Sequence, residues 1–377
     1  MSNPKFWRVT VTIIVSVLAV STTPPSWAAD TGGSFILKCR YSHTLSDDPI
    51  VHPYQPGASH SHDFFGNQST NAFSTYDAMI SSDTSCRLPL DTAGYWVPTP
   101  YLAGVEFHPS GRDGDMRIYY LAGGASSVKT IPAGLQFIGG DFMATGPLPT
   151  WEVRWYCGAG AAGSTPISTH PYDCTPYALQ YPFVDGVVGV VNFPRCWDGA
   201  GLAPSDIAYP VDGAGIDCPS GFPELLPLVS ERVHFGIWDP CAGAEPCGPD
   251  NPDTKVALTL ASGPYYTLHA DFWNTWQQPA LNSLVANCVN GHVSCRFPRK
   301  LTVTKRGTGS GKVTSAPAGI ACGRVCLGAF GSRALVSLSA TPAGHSHFTS
   351  WSGACSGKGT CRLTMDHARS VTATFDK

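Results

Sequence analysis

Two short stretches of this sequence carry paired groups that can hold a metal or move a proton. ASHSHDFFGN (58–67) places His60 and His62 two residues apart, and TLHADFWNTW (267–276) repeats the spacing with His269 and Asp271. On an extended chain, residues i and i+2 project to one face. Each pair therefore presents two groups together, while Asp63 points to the opposite face. Neutral imidazole is a ligand for zinc, copper and iron, and a carboxylate beside it acts as a further ligand or fixes the ring tautomer. The metal candidates are His60, His62 and His269, with a transition metal of unassigned identity. The same groups, with Asp271, equally suit general acid–base chemistry, where imidazole titrates near its working range and a carboxylate orients it. His52, and His234 and Asp239 in RVHFGIWDP (232–240), are further titratable groups near predicted strands.

A second cluster is NFPRCWDGAGLAPSDIAYP (192–210), in which Cys196, Trp197 and Asp198 lead into a Gly turn. Asp198 suits a general acid, a nucleophile or a turn cap. Trp197 suits stacking on a sugar ring, as do Trp96 and Trp273. A cleft lined by aromatics and a few carboxylates favours neutral sugars, although large aromatics also fill cores. The catalytic candidates are thus His60, His62, Asp198, His269 and Asp271, and the substrate-binding candidates are Trp197, Trp96 and Trp273.

The elements that position these groups are strands. The sequence holds 40 Gly and 32 Pro, and both residues disfavour helix interiors. The runs at 95–107, 115–123, 151–157, 187–193 and 256–261 are rich in β-branched and aromatic residues and are bounded by turn residues, as strands are. PALNSLVANCV (279–289) reads as one short helix. Lys5 and Arg8, the apolar run 9–20 and Ser26-Trp27-Ala28 form an export signal cut after Ala28. That run is 12 residues, short of the about 20 needed to span a bilayer, and the mature chain has no longer one. The 14 cysteines are read as disulfides of an oxidising compartment. Local bridges are expected for Cys241–Cys247, Cys288–Cys295, Cys322–Cys326 and Cys355–Cys361. Cys39, Cys86, Cys157, Cys174, Cys196 and Cys218 leave several connectivities open.

Charge divides the chain. Residues 29–299 carry 12 basic and 25 acidic residues, and residues 300–377 carry 10 and 2. The second segment alternates apolar and polar residues between Gly-rich turns, as a small β domain does. RGTGSGKV (306–313) is not a phosphate loop, because Arg306 stands where the first Gly belongs and Val313 where a Ser or Thr would bind magnesium. The reading is all-β: a disulfide-stapled, jelly-roll-like β-sandwich domain (29–299) after the signal peptide (1–28), followed by a β-rich repeat module (300–377). The expected partners are extracellular polysaccharide or an anionic wall polymer, with no nucleic acid and no membrane span in the mature chain, and the expected location is extracellular or cell-wall associated.

Two resemblances add to this reading. LTVTKRGTGSGKVTSAPAGIACGRVC, SLSATP, FTSWSGACSGKGTC and TMDHARSVTATF resemble the bacterial extracellular repeat module related to internalin B-repeats, over 301–377. That family implies a non-catalytic appendage used for attachment or spacing. GASHSHDFFGN, YWVPTPYL, IPAGLQFIGGD, FPRCWDG, CPSGFPE, LHADF and LVANC, in this order, resemble a secreted family of fungi and bacteria known as a domain of unknown function, over about 36–290. Its fungal members often carry a sugar-binding WSC module. The family's His-x-His falls on His60 and His62, its Cys-Trp-Asp-Gly on Cys196 to Gly199, and its His-x-Asp on His269 and Asp271. Ser205, Asp206, Ile207 and Phe222 stand where relatives commonly carry histidines. The resemblance implies extracellular carbohydrate, acted on by a hydrolase or lyase or held by a non-catalytic wall protein.

The charge split makes one prediction. The module of residues 300–377 should bind an anionic polymer such as teichoic acid at low salt and release it as salt rises, because screening at physiological ionic strength acts beyond about 8 Å. Pull-down across a salt series checks this, and binding that is absent or indifferent to salt would leave the module a spacer.

Overall fold

The computed structural model describes residues 32–112, 115–158, 165–180, 184–251 and 253–377. The expected export signal, residues 1–28, lies outside these ranges. Eleven strands form the two main sheets: β1 (Ser34–Cys39), β2 (Tyr41–Leu45), β3 (His62–Gly66), β4 (Gly94–Pro98), β5 (Met116–Leu121), β6 (Gln136–Gly140), β7 (Val153–Cys157), β8 (Val187–Asn192), β9 (Leu228–His234), β10 (His269–Trp273) and β11 (Ser294–Arg296). One sheet runs β11-β1-β5-β9-β8-β7 and the other β2-β3-β4-β10-β6. Every pairing in them is antiparallel except the edge pair β1–β11, which is parallel.

Period-two sequence explains how the sheets face each other. In β5, Met116, Ile118 and Tyr120 are buried and Arg117, Tyr119 and Leu121 are half-buried. The inward residues join side chains of the second sheet in one core, where Phe35 stacks on Tyr120 at 4.5 Å and Phe272 stacks on Phe137 at 4.9 Å and Tyr95 at 5.0 Å. Each such aromatic contributes about 1.5–3 kcal/mol through burial. The stretch 95–107, read as one strand, is three. Pro98-Thr99-Pro100 removes two backbone donors and ends β4, after which Pro100–Leu102 pairs with Leu258–Leu260 in a separate sheet. The predicted helix is Gln278–Leu284, which continues as a wider turn over Val285–Val289.

All 14 cysteines are paired, in seven disulfides. The four local bridges form as expected, and the remaining six cysteines pair as Cys39–Cys86, Cys157–Cys174 and Cys196–Cys218. No helix among the described residues is long and apolar enough to cross a membrane.

The module has its own core. Its strands β12 (Arg299–Arg306), β13 (Gly311–Ala316), β14 (Ala321–Cys322), β15 (Leu327–Phe330), β16 (Leu335–Pro342), β17 (His347–Gly353), β18 (Cys361–Thr364) and β19 (Arg369–Asp376) form sheets β15-β12-β19-β17 and β14-β13-β16-β18 around Leu301, Val336, Trp351 and Phe375. The 278–284 helix joins it to the first domain, where Ser283 Oγ donates to the carbonyls of Ala318 at 3.1 Å and Ala329 at 3.3 Å.

The main core also holds ionisable groups. Tyr95 donates to Asp91 at 3.1 Å, and the Tyr95 and Tyr120 hydroxyls share a 2.9 Å hydrogen bond, with the Trp276 indole donating to Tyr120 at 3.1 Å. Burial pushes the Asp91 carboxyl up to about 8. Glu231, opposite Ile118 and Val191 on the inward face of β9, has no hydrogen bond to either oxygen, and burial raises its carboxyl well above the usual 4.5. A carboxyl whose folded-state pKa is raised stabilises the protein least once pH exceeds its unfolded value. Glu231→Met should therefore leave stability nearly unchanged near pH 4 and raise it by about 1–3 kcal/mol near pH 8. Urea unfolding at the two pH values measures this, and a loss at pH 8 would mean that the carboxyl is paired.

Candidate functional site

The second sheet brings the two histidine pairs together on its outward face. β4 lies between β3 and β10, with Phe64 opposite Trp96 and Trp96 opposite Asp271. His62 and Phe64 on one side, and His269, Asp271 and Trp273 on the other, thus share the face turned away from the main core. Phe64, Met79, Trp96 and Trp273 make a small apolar floor there. Phe65 and Phe272 point the other way, into the main core. Asp63 also faces away from the histidines, accepting hydrogen bonds from Thr44 at 2.7 Å, Thr99 at 3.0 Å and His108 at 3.1 Å.

Three imidazoles converge over this floor. His269 Nε2 is 3.2 Å from His60 Nε2 and 3.4 Å from His62 Nε2. His62 and His269 are buried, and His60 is half-buried at the surface. The other ring nitrogens fix the tautomers. His62 Nδ1 lies 3.0 Å from the Asp47 carbonyl, and His269 Nδ1 lies 3.0 Å from the Thr267 carbonyl. A carbonyl oxygen only accepts, so both Nδ1 atoms carry the proton, and in the neutral rings both Nε2 atoms are bare lone pairs. His60 can donate to His269, which still leaves the lone pairs of His62 and His269 facing each other.

Protonation does not readily relieve that conflict. Burial is the main cause that lowers all three histidines. The neighbouring His269 and His60 push His62 further down, and His52 does the same to His60. His269 falls to about 4, with His60 adding to the effect of burial. The rings are therefore neutral at physiological pH, which is the form that binds metal. Zinc with bonds of about 2.0–2.1 Å in tetrahedral geometry separates its nitrogens by about 3.3–3.4 Å. The observed spacings of 3.2 and 3.4 Å fit that edge without movement of the strands.

The surroundings complete the arrangement. Asp271 is buried, 3.9 Å from His269 Nε2, with neither carboxylate oxygen hydrogen-bonded. Burial raises its carboxyl well above the usual range, with the Asp48 and Glu231 carboxyls adding to the effect. Asp48, His62 and Asp271 form a second potential ligand group beside the three histidines. Asp47 and Asp48 shape the covering loop: Asp47 accepts from the backbone of Gly57 and Ala72 at 2.9 Å each, and Asp48 from Ile50 and Val51 at 2.9 Å each. Phe142, 47% exposed, lies 6.3 Å from the His60 ring and 5.9 Å from the His269 ring.

Other candidates stand elsewhere. Asp198 accepts from the backbone N–H groups of Ala200 at 2.8 Å and Gly201 at 3.0 Å, so it caps the turn, and it belongs to none of the convergent groups. Asp239 similarly caps Cys241 and Gly243. His234 faces Asp185 at 3.1 Å on the first sheet. The three tryptophans expected to stack on sugar are buried: Trp96 is fully enclosed, Trp273 packs with it in the floor, and Trp197 donates to the Gly201 carbonyl at 2.7 Å. None offers an open ring face. The sequence reading missed Asp47, Asp48 and Phe142. The available signals were an Asp pair opening the loop before His60 and an apolar Phe-Met placed in the Gly-bounded turn 139–146.

A family model for a domain of unknown function (DUF1996) matches residues 48–276. The chain belongs to this family. The match includes both histidine pairs and lies inside the 36–290 resemblance. A divergent InlB B-repeat domain matches residues 301–377, the whole of the second domain. No curated protein and no solved structure matches the chain.

The histidines set an acid dependence. A histidine with a depressed folded-state pKa contributes stability above its unfolded value, and this is lost as pH falls toward the folded value. The metal-free protein should lose stability between about pH 6.5 and about 4, and His269→Gln should flatten that loss. Thermal melts across this range check it, and a slope identical in wild type and variant would contradict the assigned neutral rings.

Proposed function

We propose that this is an exported, metal-dependent enzyme that cleaves an extracellular polysaccharide by hydrolysis or elimination. One observation carries the reading: three imidazoles converge, with His269 Nε2 at 3.2 and 3.4 Å from the Nε2 atoms of His60 and His62, and the Nδ1 protons of His62 and His269 are committed to backbone carbonyls. Carbonyl partners of this kind orient metal-bound histidines. Three protein ligands leave a coordination position open, as catalytic zinc sites do and structural sites do not. A bound metal would polarise a substrate oxygen or lower the pKa of a water.

This chain's residues supply the rest. The Asp47 and Thr267 carbonyls hold the rings, and the floor of Phe64, Trp96 and Trp273 keeps water from the inner side. Asp271, 3.9 Å from His269 Nε2, provides a buried carboxyl as proton carrier. His60 and Phe142 form the accessible side, where substrate would approach. Seven disulfides support an extracellular location, and the cationic module supports retention at an anionic wall polymer. The polysaccharide itself rests on the family's association with sugar-binding modules and on exposed aromatics at Phe142, Tyr54 and Phe73. A non-catalytic wall protein is the alternative, favoured by Ser205, Asp206, Ile207 and Phe222 at positions where relatives carry histidines.

Protein purified without a histidine tag should carry about one equivalent of a transition metal. Dipicolinate should remove the metal together with activity, and adding metal back should restore both. His62→Ala and His269→Ala should each abolish stoichiometric metal with all disulfides intact. Activity is read as reducing ends and unsaturated products over a glycan panel. Metal-free protein whose activity ignores chelators would leave the histidines acid–base groups, and glycans retained on a column but never shortened would leave a binding protein.

A further inference from the structure

The outward face of the first sheet carries a row of cations. Lys38 pairs with Arg117, Arg117 with Arg232, Arg232 with Val190, and Val190 with Arg154. Directly opposed residues share a face, so four cations lie along one line across β1, β5, β9, β8 and β7. Their sequence neighbours Leu37, Ile118, Val233, Val191 and Val153 point into the core. Residues 29–299 have 12 basic residues against 25 acidic ones, and a third of the basic ones stand in this row. Like charges directly opposite are destabilising, and Thr or Val would serve the fold as well.

The row is built to present guanidinium groups. Arg232 lies over the Tyr119 ring at 3.6 Å, and Tyr156 stands two residues from Arg154 on the same face of β7. Val190 is buried beneath, between Arg232 and Arg154. Arg117 lies 3.6 Å from Asp185, which His234 also contacts, and its Nε is buried without a hydrogen-bond partner. Burial, and Arg232 beside it, bring Arg154 down to about 10, where it is still cationic at neutral pH. The Lys38 ammonium sits over the Phe297 ring at 4.1 Å. Arg154 Nη1 also donates to the Thr150 carbonyl at 3.4 Å. Arg117, Arg232 and Arg154 are all half-buried, each held by its neighbours with its guanidinium on the outward face.

We propose that this face binds the carboxylates of an acidic polysaccharide along the line from Arg117 to Arg154, on the side of the sandwich opposite the histidine cluster. Planar guanidinium forks match carboxylates in two-point contact. Neighbouring strands stand about 4.8 Å apart, so Arg117 and Arg232 are about one strand spacing apart and Arg232 and Arg154 about two, which suits a chain that carries carboxylates repeatedly along its length. Tyr119 and Tyr156 offer apolar surface to sugar rings, whereas the acidic surround opposes a denser polyanion. The inference rests on the polysaccharide reading above and narrows it to uronate-bearing chains.

The test uses the full-length protein as purified, titrated with polygalacturonate, the neutral glucan laminarin, and polyphosphate. Wild type is compared with Arg154→Met and with Arg154→Met/Arg232→Met, so that the basic C-terminal module is constant. Polygalacturonate affinity should fall by about tenfold or more for each arginine removed, with laminarin binding, metal content and melting temperature not reduced. Unchanged polygalacturonate binding overturns the site, and an equal loss for polyphosphate overturns the carboxylate assignment. Should Arg154→Met fold poorly, Arg154→Lys keeps the charge and loses the fork, and it must still weaken polygalacturonate. Chelation removes the metal without touching this face, so failure of the catalytic reading and failure of the arginine site are separate results.

Discussion

The antiparallel pairing of β3, β4 and β10 is the constraint on which the site depends. It brings together residues more than 200 positions apart, and the pleat decides which of them meet. A one-residue slip of either outer strand would exchange His62 for Asp63, or His269 and Asp271 for Ala270, and would turn Phe64 or Trp273 from the floor toward the main core. The register is held from the other side by the stacked rings of Tyr95, Phe272 and Phe137 in the main core. Core packing and ligand geometry are thus two faces of one set of hydrogen bonds. Pro98, opposite His62, fits this role. It stands in the central strand between the two outer strands, and its short ring leaves the space above it to the imidazoles.

The sequence made this face legible because period two is a strict rule. The spacing of His60 with His62 and of His269 with Asp271 was enough to place each pair on one side, and it placed Asp63 correctly on the other. Strand pairing across long loops is a different kind of fact. Nothing local in the sequence says that β10 is the neighbour of β4, so the spacing of the pairs does not by itself bring His60 and His62 to His269. The tryptophans show the opposite limit. Trp96 and Trp273 alternate in phase with the site residues, as cleft residues would, yet covering by the 46–60 loop turns that face into a second, smaller core. Burial by a loop has no period, and so leaves no trace in the pattern. Asp198 is legible in hindsight as a cap, because Asp before Gly accepts from the backbone two residues on.

Buried ionisable groups give the first domain an uneven electrostatic interior. Asp91, Glu231 and Asp271 are all raised by burial, and His62 and His269 are lowered by it. Desolvation thus pushes both classes toward neutrality, which is how a β-sandwich tolerates so many of them. The groups differ in their hydrogen bonds. Asp91 is tied to Tyr95, while Glu231 and Asp271 have no partner. An unpaired buried acid in the core is only a cost to the fold. An unpaired buried acid 3.9 Å from a ring nitrogen that lacks a proton stands where a cation would satisfy both.

The same alternation lets each sheet do two things. In both, the inward face builds the shared core and the outward face is free for chemistry, and the two outward faces differ. That of the second sheet is covered by a loop, dry and lined with neutral donors of lone pairs, which suits a metal ion and excludes competing water. That of the first is half-open and carries the half-buried Arg117, Arg232 and Arg154. The two faces lie on opposite sides of one sandwich, which keeps the field of the arginines away from the imidazoles. The separation matters because a cation row beside His62 and His269 would oppose the binding of a second cation there.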